Sequence, residues 1–334
     1  MMRGALRPAD VEPFLRGCVW PACAGVAYPR ADPSDAGRLP ADTWAAAAVP
    51  ATVRLELVGD AEAVELRYRT ATRDFGYRGP SAGHTFAAWC GTRMLDEVDA
   101  LEGEGTARLS LAGADGGRVT IYLPEGMRPV VLALHPLGGE IEPAPPQPRW
   151  VAYGDSILEG WIASGPATSW PAVGARTLGL DVVNMGYAGA ARGEIVSAEH
   201  VATVPAAVVS ISHGTNCWTR IPHSAGQMRE NTAAFLEVVR QGHPDTPIVI
   251  TTPVLRPDAE AVPNRLGATL GNLREAMEVA VAERIAAGDG TLTLVRGDAV
   301  LEPRHLPDGI HPGDEGHAVL ATVFGGAVAA ALRS

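Results

Sequence analysis

Between residues 51 and 135 apolar and polar positions alternate with a period of two, the pattern of strands that bury one face of a sheet. Val53, Leu55 and Leu57 alternate with Arg54 and Glu56; Val64, Leu66 and Tyr68 with Glu65, Arg67 and Arg69; Val119, Ile121 and Leu123 with Thr120 and Tyr122. Gly and Asp punctuate these runs and no long amphipathic helix interrupts them, so the stretch predicts a β-sandwich. From residue 149 the texture changes. Continuous apolar runs, Trp150-Val151-Ala152-Tyr153, Leu180-Asp181-Val182-Val183, Ala207-Val208-Val209-Ser210-Ile211 and Ile248-Val249-Ile250, are separated by longer helical patterns, clearest over 224–241, 264–287 and 314–332. Strands and helices taken in turn imply a parallel sheet with helices on both faces, joined by right-handed crossovers into three layers. Ligands of such sheets sit at the carboxyl ends of the strands.

The two textures meet at Glu142-Pro143-Ala144-Pro145-Pro146-Gln147-Pro148, which is too poor in backbone donors for regular structure and predicts a stiff extended linker. The expected organisation is a sandwich domain over 1–142, the linker over 143–148 and an α/β domain over 149–334. A length of 334 residues suits two domains.

Composition narrows the chemistry. Hydrophobic residues at 46% against 19% charged give a globular balance with a sizeable core. All 27 basic residues are arginines, and the missing lysine excludes Schiff-base, pyridoxal-phosphate and P-loop nucleotide chemistry. A net charge of −11 repels phosphate backbones and anionic lipid, so neither nucleic acid nor a membrane surface is an expected partner. The start, Met1 to Pro8, lacks the apolar run of a signal peptide, and no stretch is long and apolar enough for a span, so a cytoplasmic location is expected. Cys18, Cys23, Cys90 and Cys217 are too dispersed for a disulfide framework and read as reduced; their spacing is not that of a zinc site.

The first run of the α/β half ends in Tyr153-Gly154-Asp155-Ser156-Ile157, placing a serine on a strand-to-helix turn. There its hydroxyl is exposed at the sheet edge, and the amides that open the helix can face a developing oxyanion. Taken alone, the serine also reads as a helix cap. Three further segments fall at strand ends or before a helix: Asn184-Met185-Gly186-Tyr187-Ala188-Gly189, Gly214-Thr215-Asn216 and Asp308-Gly309-Ile310-His311-Pro312. Separately, Gly186 reads as a turn glycine, Asn216 as a cap and Asp308-Gly309 as a turn dipeptide.

Together, and in this order, the four blocks resemble those of the SGNH, or GDSL, hydrolase superfamily over residues 150–332. The resemblance implies a flavodoxin-like three-layer α/β/α domain, here preceded by an all-β, jelly-roll-like sandwich. It implies Ser156 as nucleophile, His311 as general base and acid, and Asp308 as the acid orienting the imidazole. The backbone amides of Ser156 and Gly186 and the side-chain amide of Asn216 would form the oxyanion hole. An imidazole titrating near 6.5 can take and return the serine proton, and a neighbouring carboxylate would fix its tautomer, so the chemistry agrees with these roles. No metal or cofactor is implied.

Two departures stand out: Cys217 follows Asn216 where the family often has Asp, and the first block reads Gly-Asp-Ser-Ile. Neither removes a reacting group, and Cys217 reads as a small buried residue. Trp161, Trp170 and Trp218 closely follow blocks and are candidate pocket walls, with Trp161 and Trp218 the expected substrate-binding residues. Arg192 is a candidate for an anionic substrate group, or pairs with an acid. His213 reads as packing at a strand end, and His305 and His317 as merely near in sequence.

The resemblance therefore implies a serine acyl-ester enzyme acting on a small-molecule acyl ester or acyl donor, with water or an alcohol acceptor completing the reaction. The whole chain also looks like two-domain actinobacterial GDSL proteins, some of which acylate polyketide natural products inside the cell, and an intracellular acyltransferase is the close alternative to an esterase. A non-catalytic protein binding acyl ligands or carbohydrate is the alternative of another class, against which the complete set Ser156, Asp308, His311 and Asn216 argues.

Overall fold

The structure, a computed structural model, describes residues 11–72 and 83–333. The opening residues on which the absence of a signal peptide was read, and residues 73–82 of the alternating stretch, lie outside these.

In the first half, β1 (Leu15–Arg16) and a short helix α1 (Ala41–Ala47) precede β2 (Arg54–Gly59), β3 (Ala63–Thr70), β4 (Thr85–Cys90) and β5 (Arg93–Asp99). Then come β6 (Gly103–Ser110), β7 (Val119–Tyr122), β8 (Val130–Leu137) and β9 (Ile141–Pro143). They form two antiparallel sheets, β1-β2-β7-β4-β5 with β9 on β2, and β6-β3-β8. Inward residues of both, among them Leu55, Leu57, Leu66, Tyr68, Phe86, Leu109, Ile121 and Leu134, share one core, so the sandwich read from the alternation is present.

The second half runs β10 (Arg149–Gly154), α2 (Ser156–Glu159), α3 (Trp170–Leu178), β11 (Asp181–Gly186), α4 (Ile195–Thr203) and β12 (Val208–Ser212). It continues with α5 (Asn216–Thr219), α6 (Ala225–Gly242), β13 (Ile248–Thr251), α7 (Leu270–Ala286), β14 (Leu292–Val295) and α8 (Asp314–Ala331). All five strands are parallel in the order β11-β10-β12-β13-β14, the flavodoxin-like arrangement. Alternate residues face opposite layers: Val151, Tyr153, Val209, Ile211 and Ile250 pack with α4, α6 and α7 residues, Trp150, Ala152, Val208 and Val249 with those of α3 and α8. Capping boxes at Ser224/Gln227 and Thr269/Asn272 start α6 and α7, and Asp314 and Glu315 sit in the first turn of α8, where the helix dipole favours negative charge.

The halves are less separate than the change of texture suggests. Ala31, Leu39 and Ala47 belong to the core between the parallel sheet and α4, α6 and α7, so part of the first 50 residues covers the second half. The proline segment is extended, yet its start is sheet: β9 pairs with β2, bringing Pro143 opposite Leu57 at the edge of the sheet, where a missing donor is tolerated. Elsewhere Tyr122 Oη donates to Ala172 O (3.3 Å), and Arg176 lies over the ring of Trp89 (4.4 Å) while donating to Tyr122 Oη (2.8 Å), seating the sandwich on α3.

Candidate active site

Gly154 is level with Gly186 on one side and with Ser212 on the other. The chain therefore leaves β10, β11 and β12 at one sheet edge, and the residues just beyond, 155–156, 187–189 and 213–216, emerge side by side. Asp155 caps α2 by accepting the Ile157 N–H (3.0 Å), and this turn sets Ser156 on the first residue of the helix. Burial raises the Asp155 carboxyl above the usual range, opposed by hydrogen bonds from Ile157 and Thr215.

Ser156 Oγ lies 2.9 Å from His311 Nε2, and His311 Nδ1 lies 2.7 Å from Asp308 Oδ2. An ionised Asp308 can only accept, so Nδ1 carries the proton and Nε2 is left to accept from the serine hydroxyl. Asp308 Oδ1 accepts the backbone N–H groups of His311 (2.7 Å) and Ile310 (2.9 Å). Partial burial pulls this carboxyl up, but the bonds from the His311 ring and the two amides outweigh it and hold it below its ordinary value. It thus stays ionised at neutral pH.

Trp161 stacks on the His311 ring, centroids 4.9 Å apart and planes 29° apart, so this tryptophan touches the imidazole bonded to Ser156. Buried His317 steadies it: Trp170 N–H donates to Nδ1 (3.2 Å), which leaves the proton on Nε2 to donate to Trp161 O (3.0 Å). Its place one turn into α8 gave no sign of this, because both partners lie about 150 residues earlier. Trp170 is core, against Trp150 and Phe324.

The oxyanion donors require a correction. The Gly186 N–H is committed to Asn184 Oδ1 (2.8 Å), because Gly186 is still the last residue of β11. A Cβ there would meet Glu159 N at 2.5 Å, so this glycine admits the backbone of α2. Three residues on, Gly189 adopts φ +67°, and neither its N–H nor that of Ser156 has an acceptor among the described residues. Asn216 Nδ2 donates one hydrogen to Ala191 O (3.3 Å) in the same turn and keeps the other. The donor set available to an oxyanion is Ser156 N, Gly189 N and Asn216 Nδ2.

Arg192 is also corrected. It is bracketed by Asp42 (2.5 Å) and Glu194 (3.2 Å), so its charge is answered within the protein. Trp218 donates from Nε1 to Val262 O (2.8 Å), and the Arg256 guanidinium lies 4.8 Å over its ring; these contacts hold the loop after β13.

A parallel α/β sheet with a Ser–His–Asp chain at its carboxyl edge defines a serine hydrolase domain of SGNH type, set behind an antiparallel sandwich. The GDSL-like Lipase/Acylhydrolase family matches residues 152–319, half of the chain, and the protein belongs to that family. Sequence comparison with curated proteins finds no match. Among solved structures, a salicylyl-acyltransferase from a tetracycline biosynthetic pathway superposes with a TM-score of 0.83 at 23% identity, over 99% of this chain and 97% of that one. A GDSL-like lipase from Bacteroides ovatus gives 0.80 at 19% identity, over 99% and 98%. A family two carbohydrate esterase from Clostridium thermocellum, in complex with cellohexaose, gives 0.62 at 16% identity, over 84% and 92%. The shared fold thus includes the sandwich as well as the hydrolase half. No helix among the described residues is long and apolar enough to cross a membrane.

Proposed function

We propose that the protein breaks acyl esters through a covalent Ser156 acyl-enzyme. The single observation carrying this is the unbroken chain Ser156 Oγ, His311, Asp308 at 2.9 and 2.7 Å, with both imidazole nitrogens engaged in the sense base catalysis needs. His311 Nε2 takes the hydroxyl proton as Oγ attacks the carbonyl carbon. The oxyanion forms against Ser156 N, Gly189 N and Asn216 Nδ2. Collapse expels the alcohol with the proton His311 carries, leaving the acyl group on Oγ. Water, deprotonated by the same nitrogen, then attacks the ester, and the acid and free Ser156 are released. Asp308 stays ionised throughout and stabilises the imidazolium.

The substrate in this reading is a small-molecule ester. If an alcohol replaces water in the second half, the same groups make an acyltransferase. The full-length likeness to the salicylyl-acyltransferase favours keeping this second reading, although likeness at that identity is one of fold. Residues 1–142 form the unit with the sandwich, 143–148 the join and 149–334 the unit with the triad; the segment from Arg30 to Ala47 crosses from the first to the second. Four unpaired thiols suit a reducing, cytoplasmic setting.

Turnover of p-nitrophenyl acetate by wild type and Ser156→Ala tests the proposal. Burst release of nitrophenol and an acetyl adduct on Ser156 by mass spectrometry are expected of the wild type alone, and equal rates for the two would end the acyl-enzyme reading. Added alcohols should yield new esters if transfer is the natural outcome; free acid alone across a broad panel would leave hydrolysis.

A further inference from the structure

We propose that Arg30, acting through Glu159, is a positioning residue that sets the turn presenting the Gly189 N–H; this rests on the acyl-enzyme reading above. Arg30 belongs to the first half of the chain, yet it is completely buried beside the site. Its guanidinium is anchored to its own segment through the carbonyls of Val49 and of Ala46 (2.7 Å), just past and within α1. From there Nη1 donates to the carbonyls of Asn184 (2.9 Å) and Gly186 (2.5 Å), at the end of β11. Nη2 lies 3.4 Å from Glu159 Oε2, and the same oxygen accepts the Ala188 N–H at 2.8 Å. Tyr187 closes the arrangement, its hydroxyl donating to Arg30 O (2.7 Å) and its ring lying 5.6 Å from the guanidinium.

The backbone from Asn184 to Ala188 is therefore held at its carbonyls by one cation and at its amide by that cation's partner. Gly189 is the next residue. Glu159 ends the short helix that Ser156 begins, so this pair fixes the nucleophile's helix and the oxyanion turn relative to each other. An ion pair buried this deeply is a weak source of stability, because the desolvation of both charges offsets their attraction. Its physical use is directional: the donor must meet the oxygen where charge develops, and a misplaced donor weakens the transition state while leaving ground-state binding alone.

Arg54 provides the internal control. It is equally buried and also bridges the halves, pairing with Glu56 (2.7 Å) and Asp181 (3.0 Å) and donating to Val182 O (3.2 Å). These contacts lie at the opposite end of β11 from the turn.

The experiment compares wild type, Glu159→Gln, Arg30→Lys, Arg54→Lys and Ser156→Ala on p-nitrophenyl acetate, with kcat expressed per folded molecule from circular-dichroism melts. It also measures inhibition by phenylboronic acid, whose serine adduct is a tetrahedral boronate with an oxygen where the oxyanion forms. Glu159→Gln and Arg30→Lys are expected to lower kcat by about tenfold or more with KM within about twofold, as a displaced catalytic group does. The boronate inhibition constant should rise by a similar factor. Arg54→Lys should lower the melting temperature with kcat unchanged. Unchanged kcat in both Glu159→Gln and Arg30→Lys, a kcat loss without weaker boronate binding, or an equal kcat loss in Arg54→Lys would each overturn the positioning role. Undiminished activity in Ser156→Ala would instead bring down the acyl-enzyme reading beneath it.

Discussion

Two clusters in the second half hold the same kinds of groups, a nucleophile, an imidazole and a carboxylate, and only one is arranged to react. In the first, Ser156, His311 and Asp308 form a bonded line, and the carboxylate is about two-fifths exposed, so ionising it costs little. In the second, Cys217, His213 and Glu194 lie in the core with Tyr153. Burial raises the Cys217 thiol well above its ordinary value, and Glu194 and Asp155 add to the effect. Burial also drives His213 down to about 4, against the opposing pull of Glu194 and Asn231, and neither ring nitrogen makes a hydrogen bond of standard geometry. Glu194 is already taken by Tyr153 Oη (2.6 Å), Thr43 Oγ1 (2.7 Å) and Arg192 (3.2 Å). A thiol is intrinsically the better nucleophile, but without an orienting acid or a base able to hold its proton it is inert. The difference lies in bonding and solvent access.

The largest effects should fall on the bonded line. Ser156→Ala and His311→Ala are each expected to cost about 10⁵-fold or more in kcat on p-nitrophenyl acetate, and the double substitution should cost little beyond either, because the two act as a unit. Multiplying losses in the double variant would show that the serine and the imidazole work separately. Next comes Asn216→Ala, expected to lose about 10²- to 10³-fold in kcat with little change in KM, the loss of one oxyanion donor. A rise in KM at constant kcat would place the carboxamide in substrate binding instead. Asp308→Asn should cost about 10²-fold, less than its counterpart in buried triads, since water can partly replace an exposed carboxylate.

What the sequence alone reveals of this molecule depends on whether a residue's partners are local. The period-two runs and the four blocks are local patterns, and both sheets and the bonded triad follow them. Gly186 and Gly189 could not be told apart within Asn184-Met185-Gly186-Tyr187-Ala188-Gly189, because their roles are separated only by where β11 stops pairing with Gly154. Arg192 reads as either a substrate contact or the partner of an acid, because one of the two acids that bracket it, Asp42, lies 150 residues away. The Ala-rich segment around α1 has no clear periodicity, so its burial against the parallel sheet is tertiary information. His317 and Glu159 act through buried contacts that no spacing rule marks.

The second cluster makes its own prediction, in stability. His213 in the folded chain takes up a proton only near pH 4, whereas in the unfolded chain it does so near its ordinary 6.5. Protons therefore favour the unfolded state in this window: the contribution is fully present above 6.5, is lost as the pH falls to 4 and is constant below that. The shift corresponds to something on the order of 3 kcal/mol. Urea denaturation of His213→Leu should show a flatter dependence of stability on pH between 6.5 and 4 than wild type. An unaltered slope would mean that His213 is not held neutral.

The smallest expected effect draws the sharpest line between the clusters. Cys217 directly follows Asn216, the proposed oxyanion donor, so adjacency in the chain alone would make it a candidate nucleophile. Its side chain is fully buried, its Sγ lies 3.9 Å from the Arg192 carbonyl, and burial keeps the thiol protonated at neutral pH. Cys217→Ala should leave kcat within about twofold, and iodoacetamide should leave wild-type activity intact, since a protonated, inaccessible thiol does not alkylate. Rapid inactivation by iodoacetamide that Cys217→Ala abolishes would show a reactive thiolate at this position and erase the contrast. Inactivation that persists in Cys217→Ala would point to Cys18, Cys23 or Cys90, all partly exposed, and leave the contrast standing.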